Sequence, residues 1–190
     1  MQLLENRIVS DGIIKEGDVL KVDRFLNHQM DVFLFSQMAE EWQRLFAGAQ
    51  VNKILTIEAS GIGLACVTAL KLGCPVVFAK KSRTSNQSED VYHALVHSYT
   101  HGTDHDVTVS KEYLLPTDKV LLIDDFLANG EALAGLIELC RQAGAEVVGA
   151  GIAIEKAYQP GGQRIRNMGI RVESLARIRS MDPETGIRFC

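Results

Sequence analysis

The stretch that most constrains the fold is 120–123, "VLLI", an apolar run that leads directly into Asp124 and Asp125. It lacks the alternation of apolar and polar residues that marks a strand with one face in water. Both faces of this strand are therefore expected to be buried, as in a parallel sheet that helices cover on both sides. The two aspartates would then lie at the carboxyl end of a central strand.

The rest of the chain alternates between strand-like and helix-like segments. Helical spacing predicts helices over 31–47, 61–73 and 130–143, and short apolar runs predict strands at 53–58, 75–81, 120–124 and 145–155. This alternation predicts a single α/β domain over 1–190 with a doubly wound, mostly parallel sheet. Three segments do not fit it: 1–30 is irregular, 81–113 is polar and then alternating, and 157–190 is short, basic and mixed.

Composition excludes several classes of protein. The chain has 190 residues, 46% of them hydrophobic, and a net charge of −4, which argues against a nucleic-acid partner. The charged N-terminal stretch does not resemble a signal peptide, and no apolar run approaches the roughly 20 residues of a membrane span. We therefore expect a cytoplasmic protein that does not bind membranes. The four cysteines show no CxxC spacing and are expected to be reduced, with three of them in the core.

The turn that follows the two aspartates has the features of an anion site. Its residues, 128–132, are mostly small and lead into a helix, so backbone N–H groups and the helix dipole can bind a phosphate. Asp124 and Asp125 cannot bind that phosphate themselves, because like charges repel. They require hydrogen-bond donors or a cation, such as sugar hydroxyls or a magnesium ion carried by a polyphosphate. The pattern therefore predicts a sugar-phosphate site.

These motifs have three other interpretations. A Walker B strand is conceivable for "VLLIDD", but the sequence has no GxxxxGK[ST], which argues strongly against a P-loop enzyme. The glycines of "SGIGLAC" resemble a dinucleotide turn, yet Cys66 takes the third small position and the next strand ends in lysines. A plain solvated strand end without a ligand remains an alternative.

The stretch 119–133 resembles the ribose-phosphate motif of type I phosphoribosyltransferases: a hydrophobic strand, two acidic residues and a small-residue loop with glycine. It departs from the commoner form at Asn129, Glu131 and Ala132, where Thr, Gly and Thr are usual. Residues 57–63, "IEASGIG", resemble the pyrophosphate loop of that family. Together with the opening residues and Lys156, the resemblance is closest to bacterial xanthine phosphoribosyltransferases and covers nearly the whole chain.

This resemblance implies a function and a set of site residues. The expected reaction transfers the 5-phosphoribosyl group of 5-phosphoribosyl 1-diphosphate (PRPP) to xanthine, giving xanthosine 5'-monophosphate (XMP) and pyrophosphate. A homodimer is implied, and so is Mg²⁺ that is carried by PRPP and has no direct protein ligand. The implied residues are Asp124 and Asp125 at the ribose hydroxyls; Ala128, Asn129, Gly130, Glu131 and Ala132 at the 5'-phosphate; Glu58, Ala59, Ser60 and Gly61 at pyrophosphate; and Leu20, Asn27 and Lys156 at xanthine.

The family also implies a hood over the base, from about 1–30 and 157–190, and a mobile hairpin at about 81–113. The carboxylate of Glu131 is expected to point away from the phosphate, so that its backbone N–H binds instead. Lys156, a cation at a strand end, is expected to donate to a purine carbonyl, although a plain surface lysine is the alternative.

Some questions stay open at this point. A purine-sensing regulator without turnover, or an enzyme that prefers guanine or hypoxanthine, would share the same motif. The series His93, His97, His101 and His105 could form a metal stripe on a helix, but a polar hairpin of 91–100 with 106–110 is the preferred interpretation. The basic run Lys80, Lys81 and Arg83 either is solvated or meets pyrophosphate.

Overall fold

The computed structural model describes residues 1–81, 90–98 and 103–190. A short π-helix at Asp23–Asn27 follows the second strand. The helices are α1 (Gln2–Asp11), α2 (Val32–Leu45), α3 (Gly61–Leu72), α4 (Glu131–Ala143) and α5 (Gly161–Asn167). The strands are β1 (Ile13–Lys15), β2 (Val19–Lys21), β3 (Lys53–Ile57), β4 (Val76–Ala79), β5 (Val91–Ser98), β6 (Thr103–Ser110), β7 (Lys119–Leu127), β8 (Glu146–Lys156), β9 (Val172–Asp182) and β10 (Gly186–Phe189).

The predicted doubly wound, mostly parallel sheet is confirmed. Within the described part of the chain, the central sheet has the strand order β10-β9-β8-β7-β3-β4. Neighbouring strands from β9 to β4 are parallel, and β10 alone of these six runs antiparallel, on the edge. The parallel strands therefore end at one common edge, which we call the carboxyl edge. In such sheets ligands bind beyond that edge.

Strand β7 is buried on both faces, as its uninterrupted apolar run predicts. Leu121 and Ile123 pack into the cluster that contains Trp42 of α2 and residues of α3. Val120 and Leu122 face the opposite way and join a second cluster with residues of α4 and of the β5–β6 pair. None of the helices in the described ranges is long and apolar enough to cross a membrane.

The helix limits follow from local chemistry. Helix α2 begins after Asp31, whose carboxylate accepts a hydrogen bond from the backbone N–H of Leu34 at 3.1 Å. Helices α3 and α4 end at Gly73 and Gly144, both in the left-handed conformation that glycine adopts without strain. The predicted helix ranges 31–47, 61–73 and 130–143 therefore agree with α2, α3 and α4 to within two residues at each end.

Several expectations from the sequence are wrong. Residues 157–190 continue the strand–helix alternation that they were expected to break: they form α5 and then β9, which extends the sheet by parallel pairing with β8. The mixed pattern hid this strand because its buried positions do not alternate. Strand β7 also continues to Leu127, past both aspartates. Cys140 is buried, but Cys66 and Cys190 are exposed and Cys74 is intermediate. The expectation of three cysteines in the core is therefore wrong.

The expected hairpin is present in the described residues, with β5 and β6 paired from Val91↔Ser110 to Ser98↔Thr103. It packs on α4 at Gly135, where a Cβ atom would lie 2.4 Å from Val96 Cγ2. Residues 91–98 and 103–110 are therefore strands, which excludes a helical histidine stripe over them. His101 and Arg83 lie outside the described residues.

A buried ion pair joins the starts of two central strands. Lys53 begins β3, and its Nζ lies 2.6 Å from Oδ2 of Asp118, just before β7. Lys53 also donates to the carbonyl of Tyr113 at 2.7 Å, and Asp118 accepts from the N–H of Leu115 at 2.7 Å. Because β3 and β7 carry the candidate site loops at their other ends, this pair helps to fix those loops relative to each other.

We expect Asp118→Ala to lower the free energy of unfolding by about 3–5 kcal/mol, because it leaves the Lys53 ammonium buried without its partner. The control is Glu40→Ala, which removes the more exposed pair between Glu40 and Lys71 at 2.7 Å and should cost less than about 1 kcal/mol. Urea denaturation measures both. Equal small losses in the two variants would show that the buried pair does not stabilise the sheet.

Candidate active site

Three segments meet at the carboxyl edge: the end of β7, the loop 58–61 after β3, and the turn 128–130 before α4. Gly61 makes the closest approach between two of them. A Cβ atom on Gly61 would lie 2.1 Å from Thr56 Oγ1 and 3.3 Å from Asp124 Oδ1. Only a residue without a side chain fits there, so the start of α3 lies directly beside the Asp124 carboxyl group.

The two aspartates have different surroundings. The side chain of Asp124 is buried at 5% exposure, whereas Asp125 is half-buried. Burial is the main cause that raises the pKa of Asp124 well above its usual range, and the like charge of Asp125 is the next largest. Backbone N–H groups of Asp125 and Phe126 each donate to the preceding carboxylate at 3.0 Å. A hydrogen-bond donor or a cation from a ligand would stabilise the charged form of such a pair.

The predicted pyrophosphate residues Glu58, Ala59, Ser60 and Gly61 form one loop beside Asp124. The Glu58–Ala59 peptide bond is cis. The Glu58 carboxylate accepts a hydrogen bond from the backbone N–H of Lys81 at 2.6 Å, which joins this loop to the end of β4. The loop therefore lies between the ends of two parallel strands.

The turn Ala128–Gly130 is backed by the start of α5. Gly130 has a φ of 82°, a left-handed conformation that glycine adopts most easily. Gly161 donates its backbone N–H to the carbonyl of Ala128 at 2.9 Å. A Cβ atom on Gly161 would lie 2.6 Å from the Gly130 nitrogen, so these two backbones are in direct contact.

Glu131, the first residue of α4, directs its carboxylate toward α5. That carboxylate forms an ion pair with Arg164. The side chain thus turns toward a neighbouring helix; that the backbone N–H of Glu131 binds a phosphate stays a prediction. Ala132 follows it in the first turn of α4.

Lys156 is the last residue of β8 and reaches the same edge. Its Nζ donates to the carbonyl oxygen of Asp18 at 2.5 Å and lies 6.0 Å from the centre of the Phe126 ring. Burial lowers the pKa of Lys156. Asp18 belongs to the turn between β1 and β2, so this N-terminal hairpin contacts the end of the central sheet.

The two other residues predicted at the base occupy the N-terminal segment. Leu20 in β2 is 6% exposed, and Asn27 ends the π-helix. The Oδ1 atom of Asn27 is buried and has no hydrogen-bond partner among the described residues. Leaving a buried acceptor unpaired costs stability, so a partner for this oxygen would stabilise the segment.

Sequence reasoning missed a charged cluster next to Lys156. Glu155 is 1% exposed, and Arg166 of α5 binds it through two hydrogen bonds of 2.8 Å. Ser174 donates to it at 2.5 Å and Arg177 at 3.2 Å. Burial alone would raise the pKa of Glu155, but the bonds from Arg166 and Ser174 and the nearby positive charges lower it overall. A glutamate inside the apolar strand "GIAIEK" was the available signal, because a buried carboxylate requires a cation.

The described residues hold no group of three or more His, Cys, Asp or Glu side chains suited to a metal ion. His93 is exposed on β5, and its Nδ1 lies 3.5 Å from Asp106 Oδ1. A protein-bound metal centre is therefore not formed by these residues.

Comparison with known proteins agrees with this geometry. A family model described as a phosphoribosyl transferase domain matches residues 21–168. A xanthine phosphoribosyltransferase of Lachnoclostridium phytofermentans is 55% identical over 98% of this chain and 96% of its own length. One from Bifidobacterium longum subsp. infantis is 58% identical over 98% of this chain and 97% of its own.

A solved structure has a similar fold. The crystal structure of adenine phosphoribosyltransferase from Rhodothermus marinus superposes with a TM-score of 0.73 and 22% identity, covering 93% of this chain and 97% of that one. At this identity the likeness concerns the fold alone. The family model covers most of the sequence, and the carboxylate pair, the loop and the turn occupy one edge of the sheet. This chain belongs to the phosphoribosyltransferase family.

Proposed function

We propose that this chain transfers the 5-phosphoribosyl group of PRPP to xanthine, giving XMP and pyrophosphate, in purine salvage. The observation that carries the proposal is the 55% and 58% identity, over nearly the full chain, to relatives named xanthine phosphoribosyltransferase. The site supports it, because a carboxylate pair and an anion-binding turn lie at one sheet edge.

The residues at this edge suit the parts of the sugar phosphate. Backbone N–H groups of 128–132, at the start of α4, bind the 5'-phosphate. Asp124 and Asp125 accept hydrogen bonds from the ribose hydroxyls, and such donors favour the charged form of this pair. The loop 58–61 binds the pyrophosphate group on the far side of Asp124.

Catalysis then depends on position and charge. A purine nitrogen forms a bond to the anomeric carbon as the bond from that carbon to pyrophosphate breaks, and the nitrogen's proton is lost to solvent. Positive charge grows on the ribose in the transition state, close to the Asp124 and Asp125 carboxylates, which stabilise it. Holding both reactants in line removes much of the entropic cost of their encounter.

Mg²⁺ is proposed as a cofactor carried by PRPP. Mg²⁺ retains several waters as a rule, so the ion is expected to keep water and substrate phosphates as ligands. No side chain is proposed as a direct ligand of the ion, which would lie with the pyrophosphate group beside the 58–61 loop. When bound, the ion offsets the charge of the departing pyrophosphate.

The base is proposed to bind between the N-terminal segment and the end of β8. Lys156 has three N–H donors, and the Asp18 carbonyl takes one, which leaves donors for a purine carbonyl. Asn27 contributes its side-chain amide: the buried, unpaired Oδ1 can accept from a purine N–H, and the separate Nδ2 group can donate to a second carbonyl. Leu20 packs against the ring. This arrangement would form the hood expected from 1–30.

The rival proposal, a regulator without turnover, requires a separate DNA-binding module. The described residues before α2 instead pack into the main core, through Leu4, Ile8 and Phe25 among others. This packing favours the enzyme. We further propose that the protein acts in the cytoplasm as a homodimer, as the resemblance to the family implies.

The test of the function is pyrophosphate release from PRPP with a panel of purines. Xanthine should support turnover, and omission of Mg²⁺ should abolish it. Binding of PRPP without turnover of any purine would favour the regulator. Better turnover with guanine or hypoxanthine than with xanthine would retain the family and reject the proposed base.

Removing one charge from the carboxylate pair should slow the reaction. We expect Asp124→Asn or Asp125→Asn to lower kcat at least about 100-fold, because each removes a preorganised contact to the ribose. Glu146→Gln, at an exposed residue on the opposite edge of the sheet, is the control and should keep the normal rate. Near-normal kcat in both aspartate variants would reject their assigned role.

A side chain in the phosphate turn should impair substrate binding. Gly130→Ala places a Cβ atom 3.1 Å from Gly161 Cα, so the turn and α5 must move apart, and the Kd for PRPP should rise about tenfold or more. Gly73→Ala is the matched control: its φ of 69° is also positive, but no atom lies within 4 Å. Both variants should lose about 1 kcal/mol of stability. Equal PRPP affinity in the two by calorimetry would exclude the turn as the phosphate site.

Base selection provides a third test. Xanthine has carbonyls at C2 and C6, whereas guanine and hypoxanthine lack the C2 carbonyl and would leave one donor unpaired, at a cost of roughly 1–3 kcal/mol. The kcat/KM for xanthine should therefore exceed theirs about ten- to a hundredfold. Lys156→Ala should reduce activity with all three bases, and Asn27→Ala should mainly narrow the gap between xanthine and guanine. Efficient use of adenine by the wild type would contradict the role of Lys156.

A further inference from the structure

Helix α5 connects the two halves of the proposed site, and the proposed mechanism does not use it. Its first residue, Gly161, lies against the phosphate turn through the 2.9 Å hydrogen bond to Ala128. Three residues later, Arg164 forms an ion pair with Glu131. Two residues beyond that, Arg166 binds Glu155, which precedes Lys156. This short helix therefore contacts both the phosphate turn and the strand that carries the base-binding lysine.

Glu131 poses an electrostatic problem for the phosphate turn. It lies between Gly130 and Ala132, within the segment whose N–H groups are proposed to bind a phosphate dianion. The positive end of the α4 dipole attracts carboxylates as well as phosphates. A free Glu131 carboxylate could therefore lie at the same helix end and would repel the ligand. Something must hold this side chain away.

Arg164 supplies that restraint. Its guanidinium bonds the Glu131 carboxylate, and the two side chains are 45% and 23% exposed. The pair directs the carboxylate toward α5 and offsets its charge beside the proposed phosphate site. Partly exposed ion pairs add little to stability. We therefore expect this pair to matter because of where it places the charge of Glu131.

The buried Glu155 fixes Arg164 in position. Arg166 binds Glu155 through two parallel hydrogen bonds of 2.8 Å, a geometry that restrains both distance and angle. Gly162 also abuts the same carboxylate, where a Cβ atom would lie 2.1 Å from Glu155 Oε1. Helix α5 is thereby anchored to β8, and Arg164 lies on the anchored helix within reach of Glu131.

We propose that Arg164 is a positioning residue for PRPP: by pairing with Glu131 it keeps that carboxylate out of the phosphate turn. The proposal rests on the proposed function, in that the turn binds the 5'-phosphate. Arg164 acts through Glu131 and does not itself contact the ligand. The feature expected to weaken PRPP binding is the negative charge of Glu131. A variant that removes only this charge can therefore test the proposal.

The first measurement is the effect of Arg164→Ala on steady-state kinetics. The KM for PRPP should rise about tenfold, while kcat and the KM for xanthine should change less than about twofold. Arg164→Lys keeps a positive charge and should recover most of the PRPP affinity. Arg141→Ala is the matched control, because Arg141 also pairs with a glutamate, Glu138 at 2.7 Å, but at the far end of α4.

The decisive variant combines Arg164→Ala with Glu131→Gln. If Arg164 acts by restraining a negative charge, removing that charge should make it dispensable, so the double variant should bind PRPP several-fold better than Arg164→Ala alone. If Arg164 merely supports the local fold, the second substitution should bring no recovery. The double-mutant cycle thus separates the two roles.

Calorimetric titration with PRPP keeps this test separate from the test of turnover. Should the wild type fail to use xanthine but bind PRPP, the proposed reaction would be wrong and the cycle could still be measured by binding. An unchanged PRPP affinity in Arg164→Ala, or a double variant that binds no better than Arg164→Ala, would overturn the proposal for Arg164.

Discussion

Burial of β7 on both faces is the constraint on which the rest of the structure depends. Leu121 and Ile123 on one side, and Val120 and Leu122 on the other, hold helices against both faces of the sheet. A strand covered on both sides can expose polar side chains only at its ends. The two aspartates lie near its carboxyl end, beyond the stretch that pairs with β3, so a ligand can reach them next to the end of that strand.

Close backbone contacts then assemble the site from separate segments. Gly61 allows the start of α3 to lie beside Asp124, and Gly161 allows α5 to lie against the turn at Gly130. Any side chain at Gly61 or Gly161 would overlap atoms of the neighbouring segment. The backbone that is proposed to bind the phosphates is thus brought near the carboxylates by the absence of side chains. Gly61 and Gly161 matter because they lack a side chain. Of the three glycines, only Gly130 has a positive φ and depends on the conformational freedom of glycine.

The acidic groups at the carboxyl edge divide into two kinds. Glu131 and Glu155 are each paired with an arginine of α5, so their charges are offset within the protein. Asp124 and Asp125 lie next to each other, and burial together with their like charge raises the pKa of Asp124. The charged form of the Asp124–Asp125 pair is the one that a ligand with hydroxyl groups or a cation would stabilise. The distribution of arginines thus separates structural carboxylates from those that are proposed to bind substrate.

The sequence by itself determined the fold class, the limits of α2, α3 and α4 to within two residues, and the family, because each depends on residues close together in the chain. Apolar periodicity and an unbroken motif are enough to predict these features. The same patterns also predict that the 58–61 loop and the 128–132 turn lie at one edge of the sheet. Only the tertiary structure decided that Glu131 pairs with Arg164, that Glu155 pairs with Arg166, and that Asp18 contacts Lys156. The last of these pairs is separated by 138 positions. Partners so distant leave no local pattern, since a side chain's partner depends on which segments the folded sheet and helices bring together.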